Sequence, residues 1–192
     1  MGSKMTAGGN ITPSFLNQYY GTADAAASAV TVAAQTTLTT PATVPANEPA
    51  AGSAYELLFG GSFTWSTSTP QLLAFTITLA GTVILNGHPG ILATAFAASA
   101  AGRFTGRATL TYSATGAGGA VFADYFINLS ETANAANPGT AANNTVGISD
   151  CNSAAQTIDT TASMSWIVKC GWAGIVGTPT ITNRHTCFRK IA

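Results

Sequence analysis

The chain has 192 residues and a mass of 19.3 kDa, which suits one domain large enough to bury a hydrophobic core. Only 7% of its residues are charged, and seven basic side chains balance seven acidic ones, so it lacks the basic footprint of a nucleic-acid-binding protein. It contains neither the ~18 consecutive apolar residues of a membrane span nor the apolar run of a signal peptide near its first residue. We therefore expect a protein made in the cytoplasm without a targeting signal, binding neither nucleic acid nor membrane.

Alanine and threonine dominate the composition, with 36 and 30 residues. A surface built from such residues gains little solubility from charge repulsion. A protein held in a stable assembly, where much of its surface is covered, tolerates this better than a free monomer. The composition favours a component of an assembly.

The first 50 residues differ from the rest, because glycines and prolines interrupt any long periodicity. We interpret 1–28 as an extended N-terminal arm that docks a partner and 29–192 as the folded domain. The first strand region of that domain is predicted at 29–45, with a proline-rich loop at 39–53. The candidate partner-binding residues are the aromatic and apolar side chains of the arm: Phe15, Leu16, Tyr19 and Tyr20.

From residue 55 onward, strand-like segments recur at regular intervals between turns rich in glycine, proline and asparagine. The predicted strands are 55–59, 62–66, 72–80, 82–85, 104–112, 121–129, 163–172 and 178–191. An alanine-rich stretch at 95–102 could form a helical turn. The polar tract 130–156 is interpreted as a long loop, either a recognition surface or an inert one. This spacing of short strands predicts an all-β sandwich or barrel.

The predicted strand at 72–80 separates two kinds of side chain. Phe75, Ile77 and Leu79 point one way and are predicted to lie in the core. Thr76 and Thr78 point the other way and form an outer face without charge. Such a face can pack against another subunit with no charge to desolvate, so these two threonines are the candidate subunit contact.

Histidines and cysteines do not form a recognisable site in the sequence. His88 lies in a turn, where it is either a solvated side chain or a base. His185 could join Cys187 and Cys170 in a metal site, but the spacing matches no zinc pattern. Cysteines are odd in number, which disfavours a secreted disulfide framework. We expect free thiols, with a Cys170–Cys187 disulfide as the alternative, and no metal or cofactor. The three cysteines are Cys151, Cys170 and Cys187.

Acidic residues are spread along the chain, and no local pair suggests a glycosidase. The sequence has no nucleophile elbow, phosphate-binding loop or dinucleotide-binding motif, so we expect no enzyme and no catalytic residues. Trp65 and Trp166 lie in predicted strands, where core packing is more common than ligand stacking; Trp172 is a further stacking candidate. A basic cluster near the C-terminus is either a solvated chain end or a contact for an acidic partner: Arg184, His185, Arg189 and Lys190.

Two segments resemble a module of structural proteins from tailed bacteriophages, especially those that infect actinobacteria. The first is TVPANEPAAGSAYELLFGGSFTWSTSTPQLLAFTITLAGTVI at 43–84, with its Pro-Ala-Asn loop, Ala-Gly-Ser turn and paired strands. The second is the closing segment 161–191, which is similar to the module's final two strands. The resemblance implies a jelly-roll-like β-sandwich, commonly trimeric, displayed on a virion. It supplies no catalytic residues.

Our main hypothesis is therefore a virion structural protein, a homotrimeric capsid decoration or spike that attaches to other virion proteins through its N-terminal arm. The alternative is a tail-associated receptor-binding module that recognises host-surface glycans. A glycan hydrolase is the third hypothesis, and it requires two acids about 5–10 Å apart in a cleft.

Overall fold

The structure, a computed structural model, describes residues 20–23, 31, 34–64, 72–87, 90–91, 101–131, 145–173 and 179–192. These residues form thirteen strands and no helix. The strands are β1 (Tyr20–Ala23), β2 (Thr36–Thr37), β3 (Ala42–Val44), β4 (Ala54–Thr64), β5 (Leu72–Leu79), β6 (Thr82–Asn86), β7 (Gly90–Ile91), β8 (Ala101–Ala114), β9 (Gly119–Glu131), β10 (Thr145–Cys151), β11 (Gln156–Ile158), β12 (Met164–Ala173) and β13 (Thr180–Lys190).

The strands form two antiparallel sheets. The seven-stranded sheet has the order β1-β13-β4-β8-β9-β10, with β11 also paired to β9. The six-stranded sheet has the order β2-β12-β5-β6, with β3 paired to β12 and β7 paired to β5. The prediction of an all-β antiparallel sandwich is confirmed.

The core lies between the two sheets, and aromatic rings from both meet there. Phe75 on β5 and Tyr125 on β9 have ring centroids 5.9 Å apart. Trp166 on β12 and Phe188 on β13 meet edge to face at 6.0 Å. Each large apolar side chain that leaves water contributes about 1.5–3 kcal/mol, so these contacts hold the sheets face to face.

The predicted core residues of β5 are confirmed, since Phe75, Ile77 and Leu79 are all fully buried. Trp166 is also buried, as expected for a tryptophan inside a strand, and Trp172 belongs to the same core. Trp65 lies outside the described residues. The strand periodicity of two therefore identified the inward face of the six-stranded sheet correctly.

Glycines on β8 allow two phenylalanines of β4 to lie directly against the backbone. Phe59 is paired with Gly106, and Phe63 is paired with Gly102. A Cβ atom at Gly106 would lie 2.4 Å from the Phe59 ring, and one at Gly102 would lie 2.5 Å from the Phe63 ring. The sheet is thus packed to a density that leaves no room for a methyl group at either position.

The sequence predicted two strands separated at Gly60-Gly61, but the structure has one continuous strand, β4. The partner strand β13 changes register between Asn183 and His185 at this point. The fully buried Asn183 side chain accepts a hydrogen bond from the Gly60 amide at 3.1 Å and donates one to the Thr186 hydroxyl at 2.9 Å. A side-chain amide therefore replaces the missing ladder bond, and the strand continues.

Two further boundaries differ from the prediction. The tract 130–156, predicted as one loop, contains β10 and the start of β11, and β10 extends the seven-stranded sheet beside β9. The predicted arm 1–28 contains β1, which pairs with β13 at the opposite edge of that sheet. Of the predicted helical turn at 95–102, the described residues 101–102 belong to β8.

Candidate partner-binding surface

The outward side of the seven-stranded sheet is exposed along β8, β9 and β10. Burial alternates residue by residue in β8, so that one face is in the core and the other is in solvent. The register places the outward residues of the three strands on one surface, because Arg107 pairs with Phe126 and Phe126 pairs with Ser149. We call this surface the open face, and its principal side chains are Arg103, Thr105, Arg107, Phe122, Asp124, Phe126, Ser149 and Cys151.

Two phenylalanine rings are the largest apolar groups on the open face. Phe126 is 48% exposed and Phe122 is 39% exposed. They are four residues apart on β9, a separation of about 13 Å. A Cβ atom at Gly147 on β10 would lie 3.3 Å from the Phe126 ring, so this ring leans over a glycine of the neighbouring strand. Large exposed aromatic side chains are costly in water and typical of protein interaction sites.

Charged groups surround these rings. Arg107 lies directly opposite Phe126, Arg103 precedes Arg107 by four residues on β8, and Asp124 lies between the two phenylalanines on β9. Within the described chain, no oppositely charged group lies within 4.0 Å of any of these three side chains. The open face therefore carries charges that a partner can pair.

Cys151 is exposed on the open face, on β10 directly opposite Asp124. Cys170 is buried in the six-stranded sheet, and burial raises the pKa of its thiol. Cys187 is half-buried on β13. All three thiols are free, so the alternative of a Cys170–Cys187 disulfide is excluded. The accessible thiol of Cys151 offers a chemical probe of the open face.

The ion pairs of the described chain lie away from the open face. Arg189 on β13 forms an ion pair with the buried carboxylate of Glu56 on β4. The ammonium group of Lys190 lies 3.9 Å from the Glu48 carboxylate and 5.4 Å from the centroid of the Tyr55 ring. In this part of the basic C-terminal cluster, the charges bind side chains of their own chain.

The predicted threonine face is buried. Thr76 and Thr78 are only 4% and 2% exposed. The Thr76 hydroxyl donates to the Asn86 side-chain oxygen at 3.2 Å, and the Thr78 hydroxyl donates to the Ile167 carbonyl at 3.4 Å. The expectation of an exposed threonine surface is therefore wrong, because both hydroxyls are satisfied inside one chain and a subunit contact needs accessible atoms.

The predicted arm residues can be located only in part. Phe15, Leu16 and Tyr19 lie outside the described residues. Tyr20 begins β1, where its backbone pairs with that of Phe188. A docking role for these four residues stays a prediction.

Histidines and acidic groups give no recognisable site in the described residues. His88 lies outside them. His185 is exposed on β13, and its ring lies so close to Gly60 that a Cβ atom added there would be 2.7 Å from it. No group of three or more His, Cys, Asp or Glu side chains in the described ranges is positioned to hold a metal ion. The same ranges contain no helix long and apolar enough to span a membrane.

The sequence carried a signal for the open face. In the segment VFADYFINL of β9, Val121, Tyr125 and Ile127 occupy the inward positions, but Phe122 and Phe126 occupy alternate outward ones. A strand with aromatic residues on both faces is either covered on both sides or displays rings to solvent. Counting apolar residues on each face separately would have identified β9.

Comparisons with known protein families, with curated proteins and with solved structures found no match to this chain.

Proposed function

We propose that this chain is a structural protein of a bacteriophage virion, a homotrimeric capsid decoration or spike with jelly-roll-like connectivity. Support comes from the likeness of 43–84 and 161–191 to phage structural modules and from the scarcity of charge, 7% of residues. The single observation that carries the proposal is the open face, a strand surface with exposed aromatic rings and with three charged side chains that no oppositely charged group of the described chain approaches within 4.0 Å. Such a surface suits protein contact, since it offers apolar rings beside charges that a partner can pair.

Attachment to the particle is assigned to the N-terminal arm. The chain enters the seven-stranded sheet at β1, on the edge opposite to β10.

Locating the protein on purified particles tests this function. Cryo-electron microscopy of virions, with mass spectrometry of their proteins, should show the chain at symmetry-related positions on the capsid surface. Native mass spectrometry of the isolated protein should give three times the 19.3 kDa chain mass. Absence of the chain from virions would contradict the proposed function, and a monomer at micromolar concentration would contradict the trimer.

A tail-associated receptor-binding module is the second candidate, favoured by the exposed rings of Phe122 and Phe126. Aromatic rings stack on sugars, although phenylalanine adds no hydroxyl to bind them. Binding of the assembled protein to a glycan array, lost on replacing both rings, would support this candidate. Capsid localisation combined with a blank array would exclude it.

A further inference from the structure

We propose that the open face binds a second copy of this chain, through Phe122 and Phe126 and through pairing of Arg107 with Asp124 between copies. This inference rests on the proposed function only for self-association. Because a surface that pairs with the same surface of a second copy closes a two-fold dimer, the open face joins two copies, and the proposed trimer needs a further contact. The open-face contact replaces the predicted contact at Thr76 and Thr78, which the structure buries.

The open face is a strand surface, which another sheet can cover. An antiparallel sheet packs face to face against a second sheet about 10 Å away, with side chains from both surfaces interdigitating. Two exposed phenylalanine rings about 13 Å apart can fill the spaces between side chains of a matching strand surface. Val83 and Ile191, the other large hydrophobic residues exposed in the described chain, lie on β6 and near the C-terminus, each outside this surface.

The charges of the open face are complementary to one another. A second copy brings an Asp124 carboxylate for Arg107 and an Arg107 guanidinium for Asp124, whereas a foreign partner must supply both. Arg107 can also lie over a Phe126 ring of the facing copy, a favourable cation–π contact. Because the chain has a net charge of zero, no long-range repulsion opposes the approach of two copies.

The area of the open face can be compared with that of known interfaces. The strands β8, β9 and β10 have 14, 13 and 7 residues, and at about 3.3 Å per residue and about 4.8 Å between strands they cover roughly 540 Å² in plane. The relief of the side chains raises the accessible area above this figure. A standard interface buries about 800 Å² on each partner, so the open face with its margins approaches that size.

The first test removes the rings. The double variant Phe122→Ser/Phe126→Ser should self-associate about 100-fold more weakly than the wild type in analytical ultracentrifugation. The matched control Val83→Ser/Ile191→Ser removes two equally exposed apolar side chains elsewhere and should leave association within threefold. Circular dichroism melting verifies that both variants are folded. An assembly equally stable in both double variants would overturn the inference.

The second test exchanges the charges. Arg107→Glu and Asp124→Arg should each weaken association about tenfold, and combining them should restore it to within threefold of the wild type, because each copy then offers the reversed pair. If the combined variant instead shows the sum of the two single variants' losses of association, pairing between copies would be contradicted.

The third test uses the exposed thiol. Maleimide labelling of Cys151 should be at least tenfold slower in the assembled wild type than in Phe122→Ser/Phe126→Ser, with buried Cys170 unlabelled in both. Equal rates would show that the open face is not covered and would overturn the inference.

The inference and the proposed function can fail separately. If the protein forms an oligomer that none of the three tests affects, this inference is wrong and the proposed function stands. If the chain is absent from virions, the proposed function is wrong and this inference stands. A glycan that protects Cys151 in monomeric protein would assign the face to the receptor-binding alternative and overturn the self-contact.

Discussion

The outward side chains of the two sheets have exposures opposite to what their polarity suggests: polar ones are buried and apolar ones are exposed. On β5 of the six-stranded sheet, the outward threonines Thr76 and Thr78 are buried. On β9 of the seven-stranded sheet, the outward phenylalanines Phe122 and Phe126 are 39% and 48% exposed. Residue type alone would place the hydroxyls in water and the rings in the interior. What decides exposure is whether further chain covers the sheet, and strand periodicity does not report that.

This contrast has a chemical consequence. A threonine can be buried on a sheet at little cost when its hydroxyl finds an acceptor, as Thr76 does in Asn86 and Thr78 does in the carbonyl of β12. An exposed phenylalanine has no such compensation in water, and covering it with a partner lowers the free energy. The buried face therefore stabilises the fold, and the open face is available for assembly.

Introducing the same charge on each face should produce the largest difference in the free energy of unfolding. We expect Thr78→Lys to destabilise the protein by about 3 kcal/mol or more, because it places an ammonium group where the side chain is 2% exposed. The matched variant Thr105→Lys lies on the exposed side of β8 and, in protein diluted to the monomer, should change stability by about 0.5 kcal/mol or less. Urea unfolding measures both. Similar losses would mean that the two faces are not differently covered.

Adding one methyl group to each side of the seven-stranded sheet should give the next largest effect. Gly106→Ala should cost about 1–3 kcal/mol, because the new Cβ would lie 2.4 Å from the Phe59 ring in the core. Gly147→Ala on β10 meets the Phe126 ring at 3.3 Å, and that exposed ring can move aside. We expect this variant to be neutral or stabilised by about 0.5 kcal/mol, since alanine reduces the entropy of the unfolded chain.

Thermal unfolding of the two glycine variants provides the measurement. A loss at Gly147 equal to that at Gly106 would show that Phe126 is held rigidly and that the open face is already packed.

Much of the fold could be predicted from the sequence, because alternation puts Phe75, Ile77 and Leu79 together on one apolar side of a strand, the side that a sheet turns to the core. The continuation of β4 through Gly60-Gly61 could not, because it depends on the side chain of Asn183, far away in sequence. The strand β10 was missed because its segment TVGISDC has only two large apolar residues, Val146 and Ile148, within a tract rich in Asn, Ala and Thr; it forms by pairing along β9.

The candidate subunit contact at Thr76 and Thr78 was predicted on a face that is buried, for a related reason. Thr76 and Thr78 have the neutral side chains of a subunit contact, but burial within one chain is a long-range property. Phe122 and Phe126 were present in a predicted strand, yet rings on both sides of a strand can mean either double burial or display. Only the exposure of the two rings in the folded chain, 39% and 48%, distinguishes these cases.

Tyr125 lies on the buried side of β9, and its titration reports on that side of the strand. Burial, with a smaller contribution from Asp150, raises the pKa of Tyr125 to about 12. Its folded-state pKa exceeds the unfolded value near 10, so its contribution to stability is complete below about pH 10 and is lost as the pH rises toward 12.

Absorbance titration at alkaline pH, in the wild type and in Tyr125→Phe, measures this contribution. The variant should lose stability less steeply between pH 10 and pH 12, and its neutral stability should stay within about 1 kcal/mol because the Tyr125 hydroxyl has no hydrogen-bond partner in the described chain. An unchanged alkaline profile would indicate that Tyr125 ionises without unfolding.

The smallest expected effect separates hydrogen bonding from burial as a cause of a pKa shift. Asp159 is fully exposed, yet its carboxylate accepts hydrogen bonds from the Thr161 hydroxyl at 2.6 Å and from the Thr161 amide at 2.8 Å, and these lower its pKa. The ionised form is favoured in the folded state, so the contribution to stability is present above the unfolded pKa near 4 and is lost as the pH falls through the lower folded value.

Thr161→Val removes the hydroxyl donor and keeps the amide, and NMR titration should show the Asp159 pKa rising part of the way toward 4. A full return would assign the whole shift to the hydroxyl, whereas no change would mean that the amide alone sets it. Either result would separate the effect of a hydrogen bond in water from the effect of burial seen at Tyr125.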